Sequence, residues 1–123
     1  MNALLVTRSE ARRNFVSRAL GPDWTIHEAS DGREAVRACL RDADIAVVIA
    51  DETTEPFGAF GLSRELTNLE DAPSIILLLD RSQDTWLARW SRADRWLVDP
   101  VDPFELAETA RGLWAQRVHS APA

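Results

Sequence analysis

Five short apolar runs recur along the chain, and turn residues bound each of them. Apolar runs of this length are typical of strands that are buried on both faces of a parallel sheet. The second run is more polar than the others, as expected of a strand at a sheet edge. The five runs cover residues 3–6, 24–29, 45–50, 74–79 and 96–98.

Stretches with the helical spacing of apolar residues follow each of these runs. The first ends at Gly21-Pro22, and the last begins with Asp102 as a capping residue before Pro103. Because strands and helices alternate, right-handed crossovers predict an α/β fold, a doubly wound five-stranded parallel sheet of flavodoxin-like (βα)5 architecture. The predicted helices cover residues 9–20, 32–43, a segment marked by Leu62, Leu66 and Leu69, 84–93 and 103 to about 117.

The length and the charge of the chain narrow the class of protein. Its 123 residues suit one domain, which we expect over residues 1–118 with a C-terminal tail at 119–123. The formal charge of −6 argues against a surface that binds nucleic acid. No apolar run is long enough to span a membrane and no signal-peptide pattern is present, so we expect a cytoplasmic protein without membrane insertion. The single cysteine, Cys39, excludes an intrachain disulfide. It lies with Ala35 and Leu40 on the apolar, inward-facing stripe of the second helix, as a small core residue would.

Polar residues follow four of the predicted strands, at the edge where doubly wound sheets place their functional crevice. The sequence shows no glycine-rich phosphate loop, no Ser/His/Asp set and no metal-ligand cluster. We therefore expect the protein not to be an enzyme. The residues at these strand ends are Thr7-Arg8, Asp51-Glu52, Asp80-Arg81 and Asp99-Pro100.

Three segments carry a resemblance to a known family. They are residues 28–36 (EASDGREAV), 47–51 (VVIAD) and 93–103 (ADRWLVDPVDP). In order and spacing they are similar to the second strand and helix start, the phosphoacceptor strand, and the strand 5 region of the receiver domain of two-component response regulators. The resemblance covers nearly the whole chain and implies a signalling domain related to phosphorelay. It also implies a cis peptide bond between Asp99 and Pro100, as in the family's Lys-Pro pair.

The family's phosphorylation chemistry uses five side chains, and only one of them matches here. In the family, two acidic residues after strand 1 and the phosphoacceptor aspartate hold Mg²⁺, while a hydroxyl after strand 4 and a lysine after strand 5 contact the phosphoryl group. Asp51 takes the phosphoacceptor position, and the other four positions hold Thr7, Arg8, Asp80 and Asp99. The resemblance therefore implies a degenerate phosphoacceptor pocket made of these five residues.

The charges at two of these positions oppose the family's chemistry. Arginine does not deprotonate in proteins, so Arg8 places a fixed positive charge where the metal would bind. Asp99 places a negative charge where a phosphoryl dianion would need neutralisation. We expect no cofactor and weak or absent Mg²⁺ binding. Our hypothesis is that Arg8 pairs with Asp51, in a cluster that includes Asp99 or Asp80, and locks one conformation.

Five tryptophans are many for a chain of this length and suggest an interaction surface. In the receiver family, the face of helix 4, strand 5 and helix 5 commonly makes dimer or partner contacts, which implies a possible homodimer through this face. Tryptophan and arginine are also enriched at interface hot spots. Alternatively the indoles fill the core, as we expect for Trp90 and Trp114. The candidate surface consists of Trp86, Arg89, Arg92, Arg95 and Trp96.

A second candidate surface is the glycine-rich segment 56–61, in which Phe57 and Phe60 either cover the pocket or dock a partner. Together these features favour an atypical, stand-alone receiver (a pseudo-receiver) that acts through contacts with another protein and independently of phosphorylation. Two alternatives remain open. One is a phosphorylatable single-domain receiver that uses Asp51 with a rearranged metal site, and the other is a small flavodoxin-like ligand-binding module. The rearranged metal site would draw on Glu10, Glu52 or Asp80.

Overall fold

The sheet has the predicted five parallel strands. We describe residues 1–54 and 58–120 of a computed structural model. The strands are β1 (Asn2–Val6), β2 (Thr25–Ala29), β3 (Val47–Asp51), β4 (Ser74–Leu79) and β5 (Arg95–Val98). They lie in the order β2-β1-β3-β4-β5, and every neighbouring pair is parallel. This order confirms the doubly wound, flavodoxin-like fold, with the most polar strand at one edge.

The described residues form α-helices at the five predicted places. They are α1 (Glu10–Leu20), α2 (Gly32–Arg41), α3 (Gly58–Thr67), α4 (Thr85–Trp90) and α5 (Pro103–Ser120). Ser9 caps α1 and Asp31 caps α2, because each side chain accepts a hydrogen bond from the backbone N–H three residues later. A 3₁₀ turn at Ser82–Asp84 precedes α4. Helix α4 is shorter than the helix predicted over residues 84–93. Along the part of the chain described, no helix has the length and apolar content needed to cross a membrane.

The core consists of two layers, one on each face of the sheet. Successive strand residues alternate between the layers, so that Leu4 packs in one layer and Leu5 in the other. Helices α1 and α5 cover the Leu5 face, while α2, α3 and α4 cover the Leu4 face. All residues of β3 are buried, including Asp51 at its end. A carboxylate therefore sits at the carboxyl end of a strand that is otherwise entirely apolar.

Two apolar side chains predicted to face inward are exposed instead. Trp90 is 52% exposed and Leu40 is 67% exposed. In α4 the buried residue is Ala88, and Trp90 lies two residues and about 200° further around the helix. In α2 the buried side chain is that of Ala35, and Leu40 lies about 140° from it by the same geometry. Both predictions were wrong because the small alanines, rather than the larger residues, set the inward face of these helices.

Candidate functional site

The carboxyl ends of β1, β3 and β5 bring together three of the five predicted pocket residues, Thr7, Asp51 and Asp99. The register pairs Val6 with Ala50, so the next residues, Thr7 and Asp51, are neighbours across the strands. Asp51 is only 3% exposed. Asp99 follows β5, its backbone N–H donates to the Leu79 carbonyl at the end of β4 (2.9 Å), and the Asp99-Pro100 peptide is cis, as predicted.

Both carboxylate oxygens of Asp51 accept hydrogen bonds from the chain itself. Thr7 Oγ1 donates to Oδ2 at 2.5 Å, and Thr53 donates to Oδ1 through its hydroxyl (2.5 Å) and its backbone N–H (3.0 Å). A backbone N–H also donates to each hydroxyl oxygen and thereby orients the hydroxyl group. Ser9 N–H donates to Thr7 Oγ1 (3.0 Å), and Arg8 N–H donates to Thr53 Oγ1 (2.9 Å). These donors leave each hydroxyl proton available for the carboxylate of Asp51.

A guanidinium adds a positive charge to this network. Arg12 Nε lies 3.6 Å from Asp51 Oδ2. Its two terminal nitrogens donate to the two carboxylate oxygens of Asp99 at 3.0 and 2.9 Å, in the bidentate geometry that suits this pair. Burial alone would lower the pKa of Arg12, but the hydrogen bond to Asp99 and the charges of Asp99, Asp51 and Asp80 raise it. The cation therefore joins α1 to the ends of β3 and β5.

The hypothesis of a lock at Asp51 therefore named the wrong arginine. Arg8 is exposed, and the guanidinium that the structure places at Asp51 belongs to Arg12, one helical turn later. Adjacent residues of an extended segment point in opposite directions, so the inward side chain of Thr7 directs Arg8 outward. Side chains in the first turn of a helix point back toward its N-terminus, which brings Arg12 over the strand ends. The expected share of Asp99 in the cluster is confirmed by its bonds to Arg12.

Asp80 stands apart from the Asp51 carboxylate in its hydrogen bonding. Its side chain is exposed, and its backbone N–H donates to Glu52 Oε2 at 2.7 Å. Burial raises the pKa of Glu52, and the nearby carboxylates of Asp84 and Asp80 raise it further. Asp84 is buried and accepts a hydrogen bond from Arg81 at 3.1 Å. Asp80 therefore acts on Arg12 through its charge rather than through a direct hydrogen bond.

The pocket offers a magnesium ion few free oxygen ligands. Mg²⁺ requires several hard oxygen ligands in octahedral arrangement. Here both oxygens of Asp51 already accept hydrogen bonds, and the Arg12 cation lies within 3.6 Å of one of them. Glu10 is exposed in the first turn of α1. Over residues 1–54 and 58–120, no group of three His, Cys, Asp or Glu side chains is arranged to hold a metal ion.

Tryptophans and arginines lie together around α4 and β5, where the sequence predicted an interaction surface. Arg92 and Arg95 are exposed, as such a surface requires. Trp86 is 66% exposed, as expected, and Trp90 joins it on the outside of α4. Arg64 of α3 stacks over the Trp90 ring at 4.4 Å, and Arg89 lies 5.9 Å from the Trp96 ring, both within the range of cation–π contacts. Trp96 packs partly against the core. We call this surface the Trp/Arg face and define it as Arg64, Trp86, Arg89, Trp90 and Trp96.

The other residues named from the sequence contact structural neighbours. Phe60 lies within α3 and packs partly buried against the core, so it is not part of a docking loop. Phe57 lies outside the described residues. Cys39 is partly buried against the core, as expected, and burial raises the pKa of its thiol to about 11. His27 is half-buried, with Nε2 3.2 Å from Asn2 Oδ1. Trp114 packs against the core as predicted.

Sequence reasoning missed Arg12, Thr53 and Arg64. Thr53 was passed over because it follows Asp51 in a loop, where sequence alone does not indicate which hydroxyl turns back to the strand end. A usable signal existed for Arg12. Ser9 is a strong N-cap residue, and a basic residue three positions after it lies in the first helical turn, beside the carboxyl ends of the strands.

Known proteins are similar to this chain along most of its length. The search of family models found no match. A protein of Mycobacterium tuberculosis strains CDC 1551 and H37Rv, named as an uncharacterised response regulatory protein, is 34% identical over 127 aligned positions that cover 97% of this chain and 95% of the relative.

Solved receiver structures share the fold. The receiver domain of a signal transduction histidine kinase from Syntrophus aciditrophicus superposes with a TM-score of 0.85 at 22% identity, covering 99% of this chain and 95% of that one. A chemotaxis response regulator from Vibrio cholerae gives a TM-score of 0.78 at 25% identity, covering 91% of this chain and 97% of the other. The chain therefore belongs to the response regulator receiver family.

Proposed function

We propose that this domain is an atypical receiver, a pseudo-receiver, that signals through protein–protein contacts without Mg²⁺-assisted phosphorylation of Asp51. One observation carries the proposal. The carboxylate at the phosphoacceptor position is already bonded through both oxygens to Thr7 and Thr53, with Arg12 as its counter-ion. In this pocket the negative charge of Asp51 at the end of β3 is compensated by a side chain of the same protein.

Phosphorylation would require this network to be dismantled. Phosphoryl transfer depends on cations that neutralise the charge of the transferring group. The residue at the lysine position is Asp99, whose carboxylate holds Arg12 by two hydrogen bonds. A phosphoryl group on Asp51 would bring a dianion beside Asp99 and would compete with Asp99 for the Arg12 cation. The bonds from Thr7 and Thr53 to Asp51 are buried or partly buried, and a bond of this kind to a charged group contributes about 1.5–3 kcal/mol.

The finer expectations belong to the same proposal. The domain acts without enzymatic activity, requires no cofactor, and works in the cytoplasm on another protein rather than on nucleic acid. Its net charge of −6 supports the last point, because a polyanion would be repelled overall. The homodimer through the face of α4, β5 and α5 stays a prediction.

The test is a titration with magnesium and then beryllofluoride, the phosphoryl mimic, followed by amide NMR. We expect the Asp51 and Thr53 amides and the Trp96 indole to stay unchanged at millimolar Mg²⁺ and saturating beryllofluoride. A conventional receiver under the same conditions verifies the reagents. Shifts at Asp51 and Thr53 that extend to Trp96 would show a working phosphoacceptor and would refute the proposal.

A gain-of-function variant sharpens this test. The triple substitution Thr7→Asp, Arg8→Asp and Asp99→Lys restores the family's residue types at three of the altered positions. If the altered residues close the pocket, this variant should respond to Mg²⁺ and beryllofluoride while the parent chain does not. The same response in both proteins would contradict the role assigned to these residues.

A further inference from the structure

Strand β2 forms one edge of the sheet, at the opposite end of the strand order from β5 and the Trp/Arg face. Every second residue from Thr25 to Ala29 exchanges backbone hydrogen bonds with β1, as the register and the bond from the Thr7 N–H to the Ala29 carbonyl (3.3 Å) show. The N–H and C=O groups of the intervening residues, Ile26 and Glu28, therefore point away from β1. In the part of the chain that the structure describes, no strand pairs with this side of β2. The edge offers these four backbone groups to an added strand.

A groove lies beside this edge, between β2 and helix α2. Its volume is about 350 Å³, and the buried Leu4 contributes to its lining. His27 is paired with Leu4 in the strand register, so its side chain lies on the same face of the sheet as the groove. By the same alternation Ile26 lies on the other face, where it packs partly buried against the core. A strand added to β2 would therefore place every second side chain in the groove and the intervening ones beside Ile26.

The groove is acidic. Three carboxylates and one guanidinium line it, which gives a formal charge of −2, and they belong to Glu28, Glu34, Asp42 and Arg41. The carboxylate of Glu34 is held in place because Oε2 accepts hydrogen bonds from the N–H and the hydroxyl of Ser30, both at 3.2 Å. Ala38 and Leu4 add an aliphatic wall, along which the methylene stem of a lysine or an arginine can pack. In charge and in shape the groove thus matches a long basic side chain.

We propose that the outer edge of β2 binds an extended basic segment of a partner protein as an added strand, in which lysine or arginine side chains alternate with apolar ones. The proposal rests on the proposed function in that it names the chemistry of a protein partner. In this mode of recognition, main-chain hydrogen bonds supply affinity and pockets for alternate side chains supply specificity. A second copy of the chain would bring its own Glu28 and a net charge of −6 against the same edge. Charges on an edge strand oppose such self-pairing, whereas they attract a basic segment.

Amide hydrogen exchange in the full chain, followed by NMR, tests the backbone pairing directly. The probe is a short acetylated peptide in which lysine and valine alternate. We expect the Ile26 and Glu28 amides to exchange about tenfold more slowly, or slower still, when the peptide saturates the protein, because they then donate to the added strand. The His27 amide already donates to β1 and should change far less. Loose attraction of a polycation would leave the two outward amides unprotected, and that result would overturn the proposal.

Modified peptides separate strand pairing from charge. N-methylation of the valines blocks one edge of the extended peptide, and N-methylation of the lysines blocks the other, while the charge and the side chains stay the same. One of the two modified peptides should bind about tenfold more weakly than the parent peptide, because the hydrogen bonds of its pairing edge are lost. The other should bind as the parent peptide does. Equal binding of all three peptides would contradict an added strand.

Variants of the protein test the role of the groove and the other occupant of the edge. Glu28→Gln should weaken binding of the lysine–valine peptide about threefold. The matched control Glu108→Gln removes an exposed carboxylate from α5 and should bind as the parent does; equal losses would show that only net charge matters and would overturn the proposal. A dimer in sedimentation, with the Ile26 and Glu28 amides already protected in the free protein, would assign the edge to a second copy and also overturn it. A failure here leaves the beryllofluoride result unchanged, so the two proposals fail separately.

Discussion

Replacing Arg12 by alanine would remove the cation that joins the first helix to two strand ends. Arg12 makes two hydrogen bonds to Asp99 and lies 3.6 Å from Asp51. Hydrogen bonds to charged groups contribute about 1.5–3 kcal/mol when buried and much less when solvent screens them. The Arg12 side chain is 15% exposed and that of Asp99 is 37% exposed. With that screening included, we expect Arg12→Ala to lower the free energy of unfolding by about 2 kcal/mol.

The assay is urea unfolding followed by the fluorescence of the five tryptophans, with the thermal midpoint as a second measurement. For a domain of this size, about 2 kcal/mol corresponds to a decrease in Tm of roughly 8 °C. The matched control is Arg18→Ala, which removes an exposed arginine from the same helix and should cost less than about 0.5 kcal/mol.

A double-mutant cycle tests whether the effect comes from the ion pair. Arg12→Ala, Asp99→Ala and the combined variant should give a coupling energy of about 1 kcal/mol or more, because the two side chains share a bidentate contact. A loss below about 0.5 kcal/mol for Arg12→Ala, or a coupling near zero, would refute the reasoning that this cation holds the pocket together.

Three further predictions address neighbouring features. Thr7→Val removes the hydroxyl from the buried Asp51 carboxylate and should cost about 1–3 kcal/mol in urea unfolding, whereas Thr7→Ser should cost less; equal losses would contradict this. Burial and the neighbouring Asp84 and Asp80 carboxylates raise the pKa of Glu52 in the folded state. The folded protein therefore holds this proton more tightly than the unfolded chain does. The contribution of Glu52 to stability should decrease as the pH rises above the ordinary pKa of 4.5. Glu52→Gln should therefore equal or exceed the parent in stability at neutral pH and lose that advantage in acid, with the exposed Glu70→Gln as control; parallel pH profiles would disprove it. Arg92 has a φ of 65°, so Arg92→Gly should raise the free energy of unfolding by about 1 kcal/mol, and a decrease in the urea midpoint would argue against strain at this position.

The fold was predictable because its signals are local. Each strand is a short apolar run, and the alternation with helical stretches leaves few topologies once crossovers are right-handed. The position of Asp51 was also predictable, because a polar residue that ends an apolar strand lies where the carboxyl ends of the strands meet. The cis Asp99-Pro100 peptide was predicted from the family resemblance alone, and the structure has it.

The contacts within the site depended on side-chain direction, which the sequence carries only weakly. Arg8 and Arg12 are both basic and both near the end of β1, yet the extended segment directs one outward and the helix directs the other inward. Trp90 was predicted to pack between its helix and the sheet, but Ala88 is the buried residue that sets the inward face of α4. Arg64 joined the tryptophans through packing between helices that are distant in sequence, which no local pattern reveals.

The cation beside Asp51 is part of the polypeptide, and this changes what the pocket can sense. A metal ion or a phosphoryl group comes and goes with its concentration and with the enzymes that supply it. A guanidinium on α1 has an occupancy of one in every folded copy and stays charged at every physiological pH. Under the proposed function, such a domain conveys information through the number of copies present and the availability of its partner. Its control would then lie in synthesis and turnover rather than in a chemical mark on the pocket.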